Sequence, residues 1–207
     1  SIKYTGVSTF VALLSIPKNI ILAIVLTPSD FGFFSALWLF AEWAYLLGPG
    51  FLNSSVREFN YHFGKNEFKK ADAIEREGNG ADLIYTVFIC ILIAISGLLY
   101  SKKEYIFGFI IVSVNHFFNK FILYYYNANY YRDKYNVTAS ARVIQNGGAA
   151  LISVALVFFI KEWALFFGQL FASILTVIYY KLKAPYKMHF LFSKKQAFFL
   201  FKTRFFL

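Results

Sequence analysis

"SIPKNIILAIVLTPSDFGFF" (residues 15–34) reads as a membrane helix that carries Pro17, Lys18 and Asn19 inside its apolar run. Proline has no amide donor, so Pro17 frees the carbonyl of Leu13 and bends the helix. A cation at the bilayer centre costs at least ~2.5–3.5 kcal/mol on insertion scales, so it normally faces a hydrated interior or a partner. A bend with a cation beside it is a common way to build a substrate site or a moving part. Pairing of Lys18 with Glu42, as a structural bridge between neighbouring helices, is the alternative.

The rest of the chain agrees with a membrane setting. Of its 207 residues 58% are apolar and only 15% charged, against roughly a quarter charged in a soluble domain, and the mean hydropathy is +0.53. With 27 Phe and 15 Tyr, the chain has more large apolar surface than one core of this size can hide, and the remainder needs lipid. Cys90 is the sole cysteine and lies in an apolar run. It forms no intrachain disulfide or cysteine zinc site and reads as a small residue packed between helices. The chain begins at Ser1 and its only methionine is Met188, so we expect the natural start upstream, and the chain to be either a fragment or one half of an assembly whose partner supplies the rest. The first apolar run is too long for a signal peptide.

Hydropathy predicts an all-α integral membrane bundle of six spans near 6–27, 31–52, 82–100, 105–127, 139–160 and 162–181. Each is long enough to cross ~30 Å of hydrocarbon, and each must be helical because lipid offers backbone groups no partner. The bundle occupies 1–182, and 183–207 is a basic tail. Orientation follows from charge. The second connection holds Arg57, Lys65, Lys69, Lys70 and Arg76, and the fourth holds Arg132 and Lys134, with Arg142 beyond it. Lys181, Lys183, Lys187, Lys194, Lys195, Lys202 and Arg204 follow in the tail, against only Lys102, Lys103 and Lys161 on the other side. Both termini and the second connection are therefore expected to be cytoplasmic. The net charge of +10 is accounted for by this placement and does not call for nucleic acid. Within the second connection, "NEFKKADAIERE" predicts an amphipathic surface helix near 66–77, hinged by Gly78, Asn79 and Gly80 into the third span.

Every span has a polar stripe. Ser8, Ser15 and Lys18 or Asn19 lie on the first, Ser35, Glu42 and Tyr45 on the second, and Asp82, Thr86 and Cys90 on the third. The fourth has Asn115, His116, Asn119, Lys120, Tyr126 and Tyr130. The fifth has Thr138, Arg142, Gln145, Asn146 and Ser153, and the sixth Gln169, Ser173, Thr176 and Tyr180. Such helices pack with their stripes toward a shared hydrated interior. That interior leans positive, with Lys18, Lys120 and Arg142 against Glu42 and Asp82, which suits an anionic cargo. Snorkelling of Lys120 and plain interfacial anchoring by Arg142 are the competing readings.

Motifs for other chemistry are missing. "GKNEFKK" lacks the second glycine and the Lys-Ser/Thr pair of a phosphate loop, and no HExxH, CxxC or GxSxG occurs. His62, His116 and His189 lie in three separate regions. We expect no enzyme, no ATP-driven pump, no metal site and no cofactor.

Four phrases carry a family resemblance. "VLTPSDFGFFSALWLF" resembles the L-x-P-x-[DE]-[FY]-G-x-[FWY] signature of Wzx-type polysaccharide flippases, in the multidrug/oligosaccharidyl-lipid/polysaccharide exporter superfamily. "LLGPGFLNSSVREFNYHFGKNEFKKADAI" is similar to that family's second-span exit, and "YYYNANYYRDKYNVTASARVIQ" to its fourth-to-fifth connection. "LFKTRFFL" resembles the K-x-G-F-P stretch that opens a seventh span, with Arg204 for Gly and Phe206 for Pro.

The resemblance implies the N-terminal half of a MATE-like transporter of 12–14 helices in a bacterial inner membrane. Such a protein flips an undecaprenyl-diphosphate-linked oligosaccharide (an O-antigen, capsule or exopolysaccharide repeat unit) by alternating access. Its partners would be the lipid-linked oligosaccharide, membrane lipids, a polysaccharide polymerase and other assembly proteins. Gly32 matches the family's turn glycine and Arg57 its arginine at the second-span exit; with Pro17 they are gating or structural positions. Lys18 and Arg142 fall where relatives place cavity charges. Lys18, Glu42, Asn119, Lys120, Arg142 and Gln145 are the expected cavity set, and Glu42 and Asp82 the ion-coupling candidates. A multidrug exporter of the same superfamily, an enzyme acting on lipid-linked sugars and an inactive half-bundle remain alternatives.

Overall fold

The structure is a computed structural model that describes residues 2–46, 50–99 and 103–192. The tail cations Lys194, Lys195, Lys202 and Arg204, the stretch resembling a seventh span, and the side chains of Ser8, Ser15 and Tyr45 lie outside what it describes. The described chain is all-helical, with no strand. In order it forms α1 (Ile2–Val25), α2 (Pro28–Leu46), α3 (Phe51–Gly64), α4 (Phe68–Ser96), α5 (Lys103–Tyr130), α6 (Tyr135–Arg142), a π-helical turn (Val143–Gly147), α7 (Gly148–Ile160) and α8 (Trp163–Lys183). Among the described residues four helical runs are long and apolar enough to cross a membrane. They are Phe68–Leu99, Lys103–Tyr130, Tyr135–Ile160 and Trp163–Lys183. Ile16–Val25 in α1 is a shorter apolar stretch. Large apolar side chains such as Leu99, Phe158 and Phe159 stand exposed around the bundle, a surface suited to lipid rather than water.

Local chemistry sets the helix boundaries. Between α1 and α2 the Thr27 amide donates to Asp30 Oδ2 and the Asp30 amide donates to Thr27 Oγ1, both at 3.2 Å. This reciprocal cap sits beside Pro28, the first helical residue. Gly32 thus lies inside α2, with open space where a Cβ would be, and the turn is made by its neighbours. Gly50 has φ 73° and precedes α3. The expected second span of 31–52 therefore divides between α2 and α3, because only glycine adopts that backbone geometry readily.

The second connection differs most from expectation. It contains α3, a complete helix whose buried residues are Leu52, Ser54, Ser55, Phe59 and His62. Two serines and a histidine among them masked its periodicity in a hydropathy walk. The hinge expected at residues 78–80 is absent, and α4 runs unbroken through it. Ala71, Ile74, Gly78, Ala81, Ile89 and Ile93 are all buried, so one helical stripe continues from the surface segment into the span. Helices α4 and α5 then pack antiparallel in a single register. Arg132 meets Asp72 and Glu75, Lys120 meets Asp82, and Ser113 meets Cys90.

Helix α5 is central. Leu37, Ile89, Phe109, Val112 and Phe166 form one apolar cluster that joins α2, α4, α5 and α8. Leu22, Leu26, Val157, Ala164 and Leu165 form a second, joining α1, α7 and α8. The approach of α7 to α8 depends on small residues: a Cβ at Gly168 would collide with the backbone of Ser153. After α8 the chain turns extended at Ala184 and returns along α4 and α5. There the Leu191 amide donates to the Arg76 carbonyl at 2.9 Å.

Candidate functional site

A cavity of about 440 Å³ opens between α5, α6, the π turn and α8, in the size range of small-ligand sites. Asn119, Ile122, Leu123 and Tyr126 line it from α5, and Thr138, Ala141 and Arg142 from α6. Gln145 enters from the π turn, and Gln169 and Tyr180 from α8. A π turn inserts one extra residue per helical turn and re-aims the side chains after it, which is why such turns gather at functional sites.

Hydrogen bonds hold the lining. Gln145 Nε2 donates to Asn119 Oδ1 at 2.9 Å. Ser173 Oγ lies 2.9 Å from Asn115 Oδ1 and 3.2 Å from Asn119 Oδ1, within donating distance of both. Asn119 is thus the hub linking α5 to the π turn and α8. Tyr180 stacks almost parallel on Tyr125, with ring centroids 5.3 Å apart. Amides, hydroxyls and tyrosine faces with one guanidinium suit a polyhydroxylated ligand bearing a neutral or anionic group.

Another face of α5 carries a second polar cluster. Lys120 Nζ is 3.1 Å from Asp82 Oδ2, and Tyr124 donates to the same oxygen at 2.9 Å. Thr86 donates to the Asp82 carbonyl and touches the Tyr124 hydroxyl. Asp82, Thr86, Tyr124 and Lys120 are all buried. Snorkelling of Lys120 does not occur. Asp82 lies inside the bundle, where a lone carboxylate would be costly without this partner.

No family model, curated protein or solved structure matches the chain. The site therefore rests on its own geometry.

That geometry divides the expected cavity set. Asn119, Arg142 and Gln145 line one cavity. Lys120 turns away from it to pair with Asp82. Half-buried Lys18 and exposed Glu42 and Pro17 belong to α1 and α2, and among the described residues no ion pair joins Lys18 to Glu42. Arg57 is exposed on α3. Among the described residues the polar stripes accordingly do not share one interior. Those of α6, the π turn and α8 meet one face of α5, that of α4 meets another, and Glu42 and Ser35 of α2 point outward. Among the described residues no group of three or more His, Cys, Asp or Glu could hold a metal ion.

Arg132, read from sequence only as a loop cation, is a structural hub. Nη1 and Nη2 contact both oxygens of Glu75 at 3.1 and 2.8 Å, Nη2 reaches Asp72 at 2.6 Å, and Nη1 donates to the Ala128 carbonyl at 2.7 Å. The guanidinium also lies over the rings of Phe59 and Tyr186. Burial alone would lower its pKa, but the bonds and charges of Glu75 and Asp72 outweigh that and raise it. The only sequence signal was the spacing of two carboxylates at 72 and 75, which share a helix face.

Proposed function

We propose that this chain is the N-terminal half of a polysaccharide flippase in a bacterial inner membrane. It has six spans with both ends cytoplasmic, and it moves an undecaprenyl-diphosphate-linked oligosaccharide between leaflets without chemical conversion. The observation that carries the proposal is the cavity in which Asn119, Gln145, Gln169, Tyr126 and Tyr180 surround Arg142. Amides and aromatic faces suit sugar hydroxyls and rings, and the guanidinium suits a diphosphate or an acidic sugar. The signature-like stretch across Thr27–Asp30 and the basic connections support the same reading. The exposure of Glu42 in an apolar helix supports a second helical unit against α2, since a carboxylate facing lipid is costly. A multidrug exporter for cations fits less well, because among the described residues Arg142 is the only charged one lining the cavity.

The test is complementation of a deletion in the native bacterium with the full gene carrying Arg142→Ala or Gln145→Ala. Loss of surface polysaccharide at normal protein level is expected. Normal polysaccharide from both variants would overturn the assignment.

A further inference from the structure

The extended segment after α8 does more than lead away from the bundle. Asn129 brackets the backbone of Tyr186: its Nδ2 donates to the Tyr186 carbonyl at 3.0 Å, and the Tyr186 amide donates to its Oδ1 at 3.2 Å. The Tyr186 ring lies under Arg132, and Phe190 packs edge-on against Tyr124 and tilted against Phe121. The Leu191 amide bonds to the Arg76 carbonyl. Its own carbonyl occupies the space a side chain at Gly80 would fill. Helix α4 thus uses Gly80 for close approach of another backbone and not for a bend.

These contacts converge on one place. Gly80 lies two residues before Asp82, Phe121 follows Lys120, and Tyr124 is itself bonded to Asp82. The segment therefore runs along α4 and α5 against Tyr124, the side chain that ties Asp82 to α5. Its outer side chains Tyr186, Leu191 and Phe192 are exposed. It is held by a few directed bonds and no helix or ladder, which makes it a low-stability layer able to open locally.

We propose that residues 184–192 form a releasable strap that keeps water from the Asp82–Lys120 pair. Docked, the strap leaves the pair dry and locked to Tyr124. Released, it admits water and weakens the attraction between the two charges. The proposal stands independently of what the cavity carries.

Accessibility of Thr86 tests it in the full chain in its membrane. With Cys90→Ser removing the native thiol, Thr86→Cys reports water at the pair through its rate of modification by a small charged methanethiosulfonate. Leu191→Pro deletes the strap's donor and Gly80→Val fills the space of its carbonyl, so together they undock it. Modification is expected to accelerate at least about tenfold. In parallel, disulfide yield between Phe121→Cys and Phe190→Cys, also in the Cys90→Ser chain, reports docking and is expected to fall severalfold. A falling yield with an unchanged Thr86→Cys rate would overturn the proposal, because the strap would be gone and the pair still dry. An unchanged yield would overturn it too, because these contacts would not be what holds the strap.

Discussion

Lys120 and Asp82 meet at 3.1 Å with side-chain exposures of 8% and 4%, and Tyr124 completes the carboxylate's coordination. Removing one partner strands a buried charge, whereas replacing both with neutral groups of similar shape does not. Lys120→Met and Asp82→Asn should each lower stability by about 3–5 kcal/mol. The double variant should recover more than half of that loss. Thermal unfolding of the purified protein in detergent checks this, and additive losses in the double variant would contradict it.

Arg132 makes a two-point contact with Glu75 and bonds Asp72 and Ala128 besides. A lysine cannot reproduce that planar fork. Arg132→Lys should therefore destabilise the junction of α3, α4 and α5 by about 1.5–3 kcal/mol. Because the guanidinium also covers Tyr186, protease cleavage after Lys187 should quicken in the variant. Unchanged cleavage and melting would show that the clamp is incidental.

Two glycines should respond oppositely to alanine. At Gly168 the new methyl meets the Ser153 backbone, so Gly168→Ala should push α7 from α8 and destabilise by about 1–3 kcal/mol, the usual cost of overpacking. At Gly32 nothing lies near the new methyl, and Gly32→Ala should stabilise α2 by about 0.5–1 kcal/mol. Comparing the two melting temperatures decides the point, and a destabilised Gly32→Ala would indicate a role beyond packing.

The corner between α3 and α4 should loosen in acid. His62 Nδ1 lies 2.6 Å from Glu67 Oε2, and this hydrogen bond, with the charge of Lys70, holds the exposed Glu67 carboxyl below its ordinary range. A depressed folded pKa means the contribution is complete above the unfolded carboxylate value of about 4.3 and disappears as pH falls through the folded one. Proteolysis at Lys65 should therefore be flat from neutral pH to about 5 and rise below about 4. Glu67→Gln should abolish the step.

Much of this was legible along the chain. The long apolar runs at 105–127, 139–160 and 162–181 became helices close to the expected bounds, because helices must satisfy their own backbone groups in lipid. Asn119, Arg142 and Gln145 share a cavity because polar residues in apolar helices seek each other. Less legible were residues whose meaning depends on what crosses them. Gly78 and Gly80 read as a hinge, yet the helix continues, since a buried stripe runs through them and Gly80 makes room for Leu191.

By itself the sequence determined the helical class and the membrane-suited exterior, since hydropathy and backbone satisfaction are local properties of a segment. Tertiary structure alone decided the partners. It turned Lys120 from the cavity to Asp82, gave Arg132 its two carboxylates and laid 184–192 across α4 and α5. Each of these pairings joins positions more than 35 residues apart, and no one-dimensional period encodes which faces of two helices meet.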